Sequence, residues 1–405
     1  LKVAIVTESF LPKIDGIVTM LAKTVEHLRR SGDEVMIFAP SGGPEELFGA
    51  EVVGMPSVAF PMYSELRLAL PRTSMRQKLE RFKPDVLHLF EPVVLGIGGI
   101  YYSSELRIPL VISYHTNLPA YLSYYKLGAI ESLTWSLMRV RHQRAHLNLC
   151  TSTAMMDDLA RHGIDHLALW ERAVDAETFR PGVGTAEMRS RLSGNRPESP
   201  LLLYVGRLSA EKDVARLKEL FPAVPGMRLA IVGDGPLRAD LERRFEGTAT
   251  VFTGYLRGAE LASAYASADL FVVPSKTETL GLVLMEAMAA GCPVVGCRAG
   301  GVPDAVEHGV TGFLFDPEDP GSLAETVKQA LASGQERLDA IRANARCDVE
   351  QHSWARATGQ LRHLYRQVVN DKATYGRTVR SKAEIPLPRR IAAGIARGTL
   401  RTLLP

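Results

Sequence analysis

Strand-length apolar runs alternate with amphipathic stretches twice along this chain, and few folds accept that pattern. In the first half the runs read Val3–Thr7, Val35–Ala39, Val86–Phe90, Leu110–Tyr114 and Leu147–Cys150. In the second they read Leu201–Val205, Arg228–Val232, Thr250–Phe252, Leu270–Val273, Val294–Gly296 and Gly312–Phe315. Stretches such as Thr19–Ser31 and Leu237–Phe245 carry helical spacing between them. Strand then helix, repeated, predicts parallel sheets joined by right-handed crossovers. A chain of 405 residues exceeds one ordinary core. The expected fold class is therefore α/β, with two Rossmann-like, doubly wound parallel-sheet domains. The Pro- and Gly-rich segment 181–199 reads as the linker. It separates a first domain over 1–180 from a second over 200–365. Ligands in open sheets of this kind sit beyond the strand C-termini, which places a site in the cleft between the domains.

Bulk properties narrow the class. Hydrophobic residues make up 46% and charged residues 23%, as in a soluble globular protein. No apolar run reaches the roughly 20 residues that span a bilayer. No leader pattern precedes the first strand. Cys150, Cys292, Cys297 and Cys347 show no Cys-x-x-Cys spacing, so reduced structural thiols are expected rather than a zinc site or a disulfide framework. The net charge of +3 is unevenly spread. Residues 1–181 carry −1, residues 182–371 carry −3, and the last 34 residues carry +7. A basic excess confined to one end predicts an anionic surface partner and no nucleic acid.

The densest chemistry lies in residues 274–291. Glu278 falls in a polar loop and Glu286 about two turns into an apolar helix, with Thr279, Leu280, Gly281 and Leu282 between them. A helix N-terminus offers free amides to an anion, and a carboxylate further in accepts hydrogen bonds from hydroxyls. A surface loop with a satisfied glutamate gives the same spacing. Strand Leu201–Val205 runs into Gly206, Arg207 and then Lys212, a fork and a mobile point charge that suit a diphosphate. A solvated pair at a helix start is the plain alternative. Asp15-Gly16 precedes a helix, where a glycine lets a ligand approach the backbone. A turn glycine also fits. His115 follows strand Leu110–Tyr114 at the ligand edge, or is simply bonded within its loop.

Glu278-x7-Glu286 before Ala-Met-Ala-x-Gly, Gly206-Arg207-Leu208 with Glu211-Lys212, and Ser113-Tyr114-His115-Thr116 together resemble the retaining glycosyltransferases of family 4. The resemblance covers nearly the whole chain and is strongest over 200–320. It implies the GT-B architecture, with an acceptor-side first domain, a nucleotide-sugar-binding second domain, and a segment about 366–405 packing back onto the first. It implies that Arg207 and Lys212 neutralise the leaving diphosphate. Glu286 holds the ribose, Glu278 the donor sugar, Gly254 and Tyr255 the base, and His115 with Gly16 lines the cleft. Asp15 stands where members often have a second glycine. No Asp-x-Asp is present, so no obligatory metal and no cofactor are expected.

Leu169 to Pro181, Ser113 to Thr116, Phe252 to Gly254 and Ser275 to Glu286 further resemble the sulfoquinovosyltransferase subfamily. That implies UDP-sulfoquinovose, or another UDP-sugar, as donor and diacylglycerol as acceptor. Lys276, Arg172 and Lys13 are the candidate sulfonate readers. Tyr121, Tyr125 and Trp135 beside Arg139–Arg144, and Arg390, Arg397 and Arg401 in the tail, suit an anionic membrane surface. The first group also fits a core helix, and the second a disordered chain. A peripheral protein on the cytoplasmic side is expected. The alternatives are glucosyl, glucuronosyl or mannosyl transfer to lipid, a UDP-sugar 2-epimerase, and a silent nucleotide-sugar binder.

Overall fold

The computed structural model describes residues 1–371 apart from 14, 61–62, 118 and 120–130. Each half of the chain forms one parallel sheet. Across the first sheet the strands run Leu167–Leu169, Leu147–Cys150, Leu110–Tyr114, Val86–Leu89, Lys2–Val6, Glu34–Pro40, Ala50–Met55 and Glu46–Leu47. Only the last pair is antiparallel. Across the second they run Thr250–Gly254, Arg228–Val232, Leu201–Val205, Leu270–Val273, Val294–Cys297 and Phe313–Phe315, all parallel. A small antiparallel pair, Ser57–Phe60 with Tyr63–Ala69, stands apart from both.

Side-chain alternation explains why these runs are apolar throughout. In Lys2–Val6, Val3 and Ile5 enter one cluster while Ala4 and Val6 enter another on the opposite face. In Leu201–Val205, Leu201 and Leu203 face one core, Leu202 and Tyr204 the other. A strand covered on both faces by helices has no polar side to show. Each sheet starts in its middle, winds to one edge, then returns to wind to the other. The reversals fall between Lys2–Val6 and Val86–Leu89, and between Leu201–Val205 and Leu270–Val273. At such switch points the outgoing loops diverge and leave a crevice.

Two boundaries differ from the sequence expectation. Segment 181–199 is not an open linker: helix Ala186–Leu192, capped by Thr185, buries Met188 and Leu192 in the second core. The return to the first domain begins before 366. Helix Trp354–Asn370 places Trp354, Ala357, Leu361, Tyr365 and Val368 on the first core. These residues are three and four apart, one face of a helix, so the stripe was present but assigned to the wrong domain. Arg362 fixes that helix through Asp33 at 2.6 Å, and Tyr365 Oη lies 2.6 Å from His88 Nδ1. Strands Ala50–Met55 and Leu167–Leu169 were missed, the one because Glu51 and Gly54 dilute its pattern, the other because it is three residues long. All four cysteines are free thiols, three of them buried.

Candidate active site

Two loops leaving the switch point of the second sheet are tied to each other. Ser275 and Thr277 each donate a hydroxyl to the Glu211 carbonyl oxygen at 3.1 Å. That tie brings Lys212 against Glu278, Nζ to Oε1 at 2.6 Å, although 66 residues separate them. Arg207 leaves the same strand end, its carbonyl held by Tyr204 Oη at 3.1 Å. A third loop, Gly300-Gly301, closes on the second. A Cβ at Gly300 would stand 2.5 Å from the Glu278 oxygen, and one at Gly301 2.2 Å from the Thr279 oxygen. Only glycine permits that approach.

Gly281 has φ +70° and starts helix Leu282–Ala289, which carries no side-chain cap on its first amides. Leu280 and Leu282, expected to line a donor, send their side chains onto the first-domain core instead. Glu286 is half-buried on this helix and accepts from Tyr265 Oη at 3.1 Å. Burial pushes its carboxyl up to about 7, with the Tyr265 bond opposing. Gly206 packs on Tyr204, and Gly254 accepts from the Gly233 amide at 2.9 Å. The half-exposed Tyr255 reaches the Asp234 oxygen at 3.4 Å.

The first domain supplies the opposite wall. Asp15 caps helix Gly16–Arg30, accepting from the Val18 amide at 2.8 Å, and pairs with Lys13 at 2.7 Å. This is what an aspartate does where a second glycine was expected: it answers the helix amides from within. Gly16 faces Leu282 across the cleft, a Cβ there lying 3.6 Å from its Cδ1. His115 is buried, stacked on Phe90 at 5.2 Å and edge-on to Trp170 at 5.9 Å. Burial lowers its pKa to about 4 against the pull of Asp15, so the ring is neutral at ordinary pH. Its Nε2 has no hydrogen-bond partner among the described residues. The His115 carbonyl accepts from Thr279 Oγ1 at 2.8 Å, which joins the two walls.

The remaining candidates scatter. Lys276 pairs with the exposed Glu318 at 2.6 Å, and Arg172 donates to the Asp304 carbonyl at the domain junction. Lys13 alone of the three sits beside Gly16. Trp135 is buried and stacks on His162 at 3.6 Å, so it is a core residue, not a membrane anchor. Tyr121, Tyr125, Arg390, Arg397 and Arg401 lie outside the described residues. Among the described residues no group of three or more histidine, cysteine or acidic side chains is arranged to hold a metal. Sequence reasoning missed Tyr265, the Ser275–Glu211 tie, and two buried acids, Glu8 and Glu91, just beyond strands Lys2–Val6 and Val86–Leu89.

Two facing doubly wound domains, with cationic and acidic side chains meeting at a switch point, define a nucleotide-sugar-dependent glycosyltransferase of the GT-B type. The chain belongs to the group 1, family 4 glycosyltransferases. Residues 189–347 match the family model for glycosyl transferases group 1, and residues 14–178 that for glycosyltransferase family 4. It is 40% identical to the sulfoquinovosyl transferase SQD2 of Arabidopsis thaliana, over 86% of this chain and 70% of the relative. It is 37% identical to a GDP-mannose-dependent alpha-mannosyltransferase of Mycobacterium tuberculosis, over 92% and 98%. It is 25% identical to the alpha-monoglucosyldiacylglycerol synthase of Streptococcus pneumoniae, over 82% and 78%. Among solved structures, Anabaena HepE in complex with UDP-glucose superposes with a TM-score of 0.73 at 19% identity, covering 90% of this chain and 99% of that one.

Proposed function

We propose that this enzyme moves sulfoquinovose from UDP-sulfoquinovose to diacylglycerol, with retention at the anomeric carbon and without an obligatory metal or cofactor. The observation that carries the donor is the 40% identity to the Arabidopsis sulfoquinovosyl transferase. The observation that supports the chemistry is the Lys212–Glu278 pair, next to Thr279, whose hydroxyl bonds the His115 carbonyl of the first domain. In this reading Arg207 and Lys212 take the charge that develops on the departing diphosphate. Glu278 meets the donor sugar, Glu286 the ribose, and the backbone at Gly254 and Tyr255 the base. Mannosyl transfer is the second reading, favoured by the near-complete coverage of the mycobacterial relative. Product mass spectrometry after incubation with diacylglycerol vesicles and UDP-sulfoquinovose, UDP-glucose or GDP-mannose, without added metal, separates them. A sulfoquinovosyl lipid supports the first reading, and a mannosyl lipid replaces it with the second.

Glu286 gives the donor site a pH dependence. A carboxyl raised to about 7 is largely neutral below that pH. The ribose hydroxyls donate to its ionised form, so binding favours proton release. UDP affinity should therefore fall as pH drops below about 7, by up to about tenfold per unit. Calorimetric titration of UDP from pH 5.5 to 8.5 reads this. Glu286→Gln should remove that component and leave the slope of the terminal phosphate, whose second ionisation is near pH 6.

The membrane contact we assign to helix Glu131–His142. Leu133, Leu137 and Val140 are 60%, 47% and 40% exposed and lie four and three residues apart. They form one stripe opposite the buried Trp135 and Met138, with Arg139 exposed on the same helix. Apolar side chains flanked by a cation suit the interface of an anionic leaflet. No helix among the described residues is long and apolar enough to cross a membrane. Leu133→Ser with Leu137→Ser should weaken binding to anionic vesicles by about tenfold or more, given the loss of two buried leucines, and leave UDP affinity unchanged. Equal vesicle binding in sedimentation would exclude this face.

A further inference from the structure

The first sheet has its own switch point, between Lys2–Val6 and Val86–Leu89, and an acid follows each strand. Glu8 is occupied. Its carboxylate accepts from the Ala69 amide at 3.1 Å and from the Leu95 amide at the start of the next helix. Glu91 is different. Its Oε2 is buried without a hydrogen-bond partner among the described residues, yet the residue as a whole keeps contact with solvent. Its neighbour Phe90 carries the ring on which His115 stacks. Ser9, from the loop that leads into Gly16, hydrogen-bonds the Glu91 carboxyl through its amide and its hydroxyl, and the charges of Lys13 and Asp15 on the same loop act on it. Glu91 thus lies between the two first-domain loops that form the cleft wall. Burial and the repulsion of Asp15 raise its carboxyl to about 7, while Lys13 and hydrogen bonding from Ser9 oppose.

We infer that Glu91 accepts the hydrogen bond of the acceptor's nucleophilic hydroxyl and holds that hydroxyl at the first-domain wall of the cleft. An ionised carboxylate only accepts, and an acceptor substrate for glycosyl transfer must bring a hydroxyl that donates. A charge-assisted bond of that kind is among the stronger orienting contacts. It also answers a carboxylate oxygen that no described residue answers, which burial otherwise makes costly. The donor nucleotide has its own acid, Glu286, on the other domain, so the two substrates meet from opposite walls. The inference rests on the glycosyltransferase class of the chain and on a hydroxyl acceptor, and is independent of which sugar is transferred.

The test compares Glu91→Gln, which keeps size and removes charge, with Glu91→Asp, which keeps charge and retracts it. Wild-type protein is first assayed on dioleoylglycerol vesicles with UDP-sulfoquinovose, UDP-glucose and GDP-mannose. A wrong donor assignment appears there, in the wild type, whereas a wrong role for Glu91 appears only in the variants. With the donor that is used, Glu91→Gln should lower kcat/KM for the acceptor by about 10- to 100-fold, the loss of one hydrogen bond to a charged group. Glu91→Asp should recover part of it. Nucleotide affinity and donor hydrolysis in the absence of acceptor should stay within about twofold of wild type. Two results overturn the inference: acceptor kinetics unchanged in Glu91→Gln, or a parallel loss of nucleotide affinity and donor hydrolysis, which would make Glu91 a donor or structural residue.

Discussion

Lys212→Ala should lower kcat/KM by about 10²- to 10³-fold, the usual loss when one charge-stabilising donor is removed from a transition state. The effect has two parts. The variant removes the cation proposed to meet the leaving diphosphate. It also strips Glu278 of the ammonium held at 2.6 Å, so an uncompensated carboxylate faces the incoming phosphates. UDP affinity should fall with turnover. Adding Glu278→Gln to Lys212→Ala should then restore part of the UDP affinity without restoring turnover. That non-additive pattern marks a coupled pair rather than two independent contacts. Lys212→Arg should recover little, because a planar fork does not occupy the position of a mobile point charge. Steady-state kinetics with calorimetry on the four proteins reads all of this. Turnover within twofold of wild type in Lys212→Ala would remove the lysine from the reaction.

His115→Ala should reduce turnover by about 10²-fold or more while sparing UDP affinity, because the proposed nucleotide contacts all lie on the other domain. The alanine variant alone is ambiguous. It empties the space between Phe90 and Trp170, and voids of that size cost about 3 kcal/mol. His115→Phe resolves this. The ring stack is kept and only the nitrogens are lost, so melting temperature should stay near wild type while turnover collapses. A phenylalanine variant with ordinary turnover would reduce His115 to a packing residue. Since burial keeps the imidazole neutral down to about pH 4, the histidine should contribute no limb to the pH–rate profile between 5 and 8. A limb near 7 in that window belongs to carboxylates such as Glu286.

Much of the site was legible residue by residue. Arg207, Lys212, Glu278 and Glu286 follow strand ends or lie in a helix whose first amides are open, and those local settings are written in the order of apolar and polar positions. The helix carrying Trp135 shows where such reading stops. It has apolar residues on two opposite faces, Leu133, Leu137 and Val140 on one, Trp135 and Met138 on the other. Periodicity finds both stripes and does not say which one meets a partner. His162, from the next helix along, stacks on Trp135 and decides it. The same holds for helix Trp354–Asn370, whose stripe was visible but whose receiving sheet is built from the first half of the chain.

By itself the sequence determined the two parallel sheets, because strands buried on both faces must be apolar at every position and their crossovers have one allowed hand. It also determined the motifs that mark a family 4 glycosyltransferase. Tertiary structure alone decided which of those groups touch. Lys212 meets Glu278 across 66 residues, Thr279 meets His115 across 164, and the Glu8 carboxylate finds the amides of Ala69 and Leu95 while Glu91 keeps one oxygen without a partner among the described residues. The physical reason is that strand and helix signals are local, carried by neighbours a few positions apart. A hydrogen bond between loops depends on where the sheets bring their ends, and no short stretch of chain contains that information.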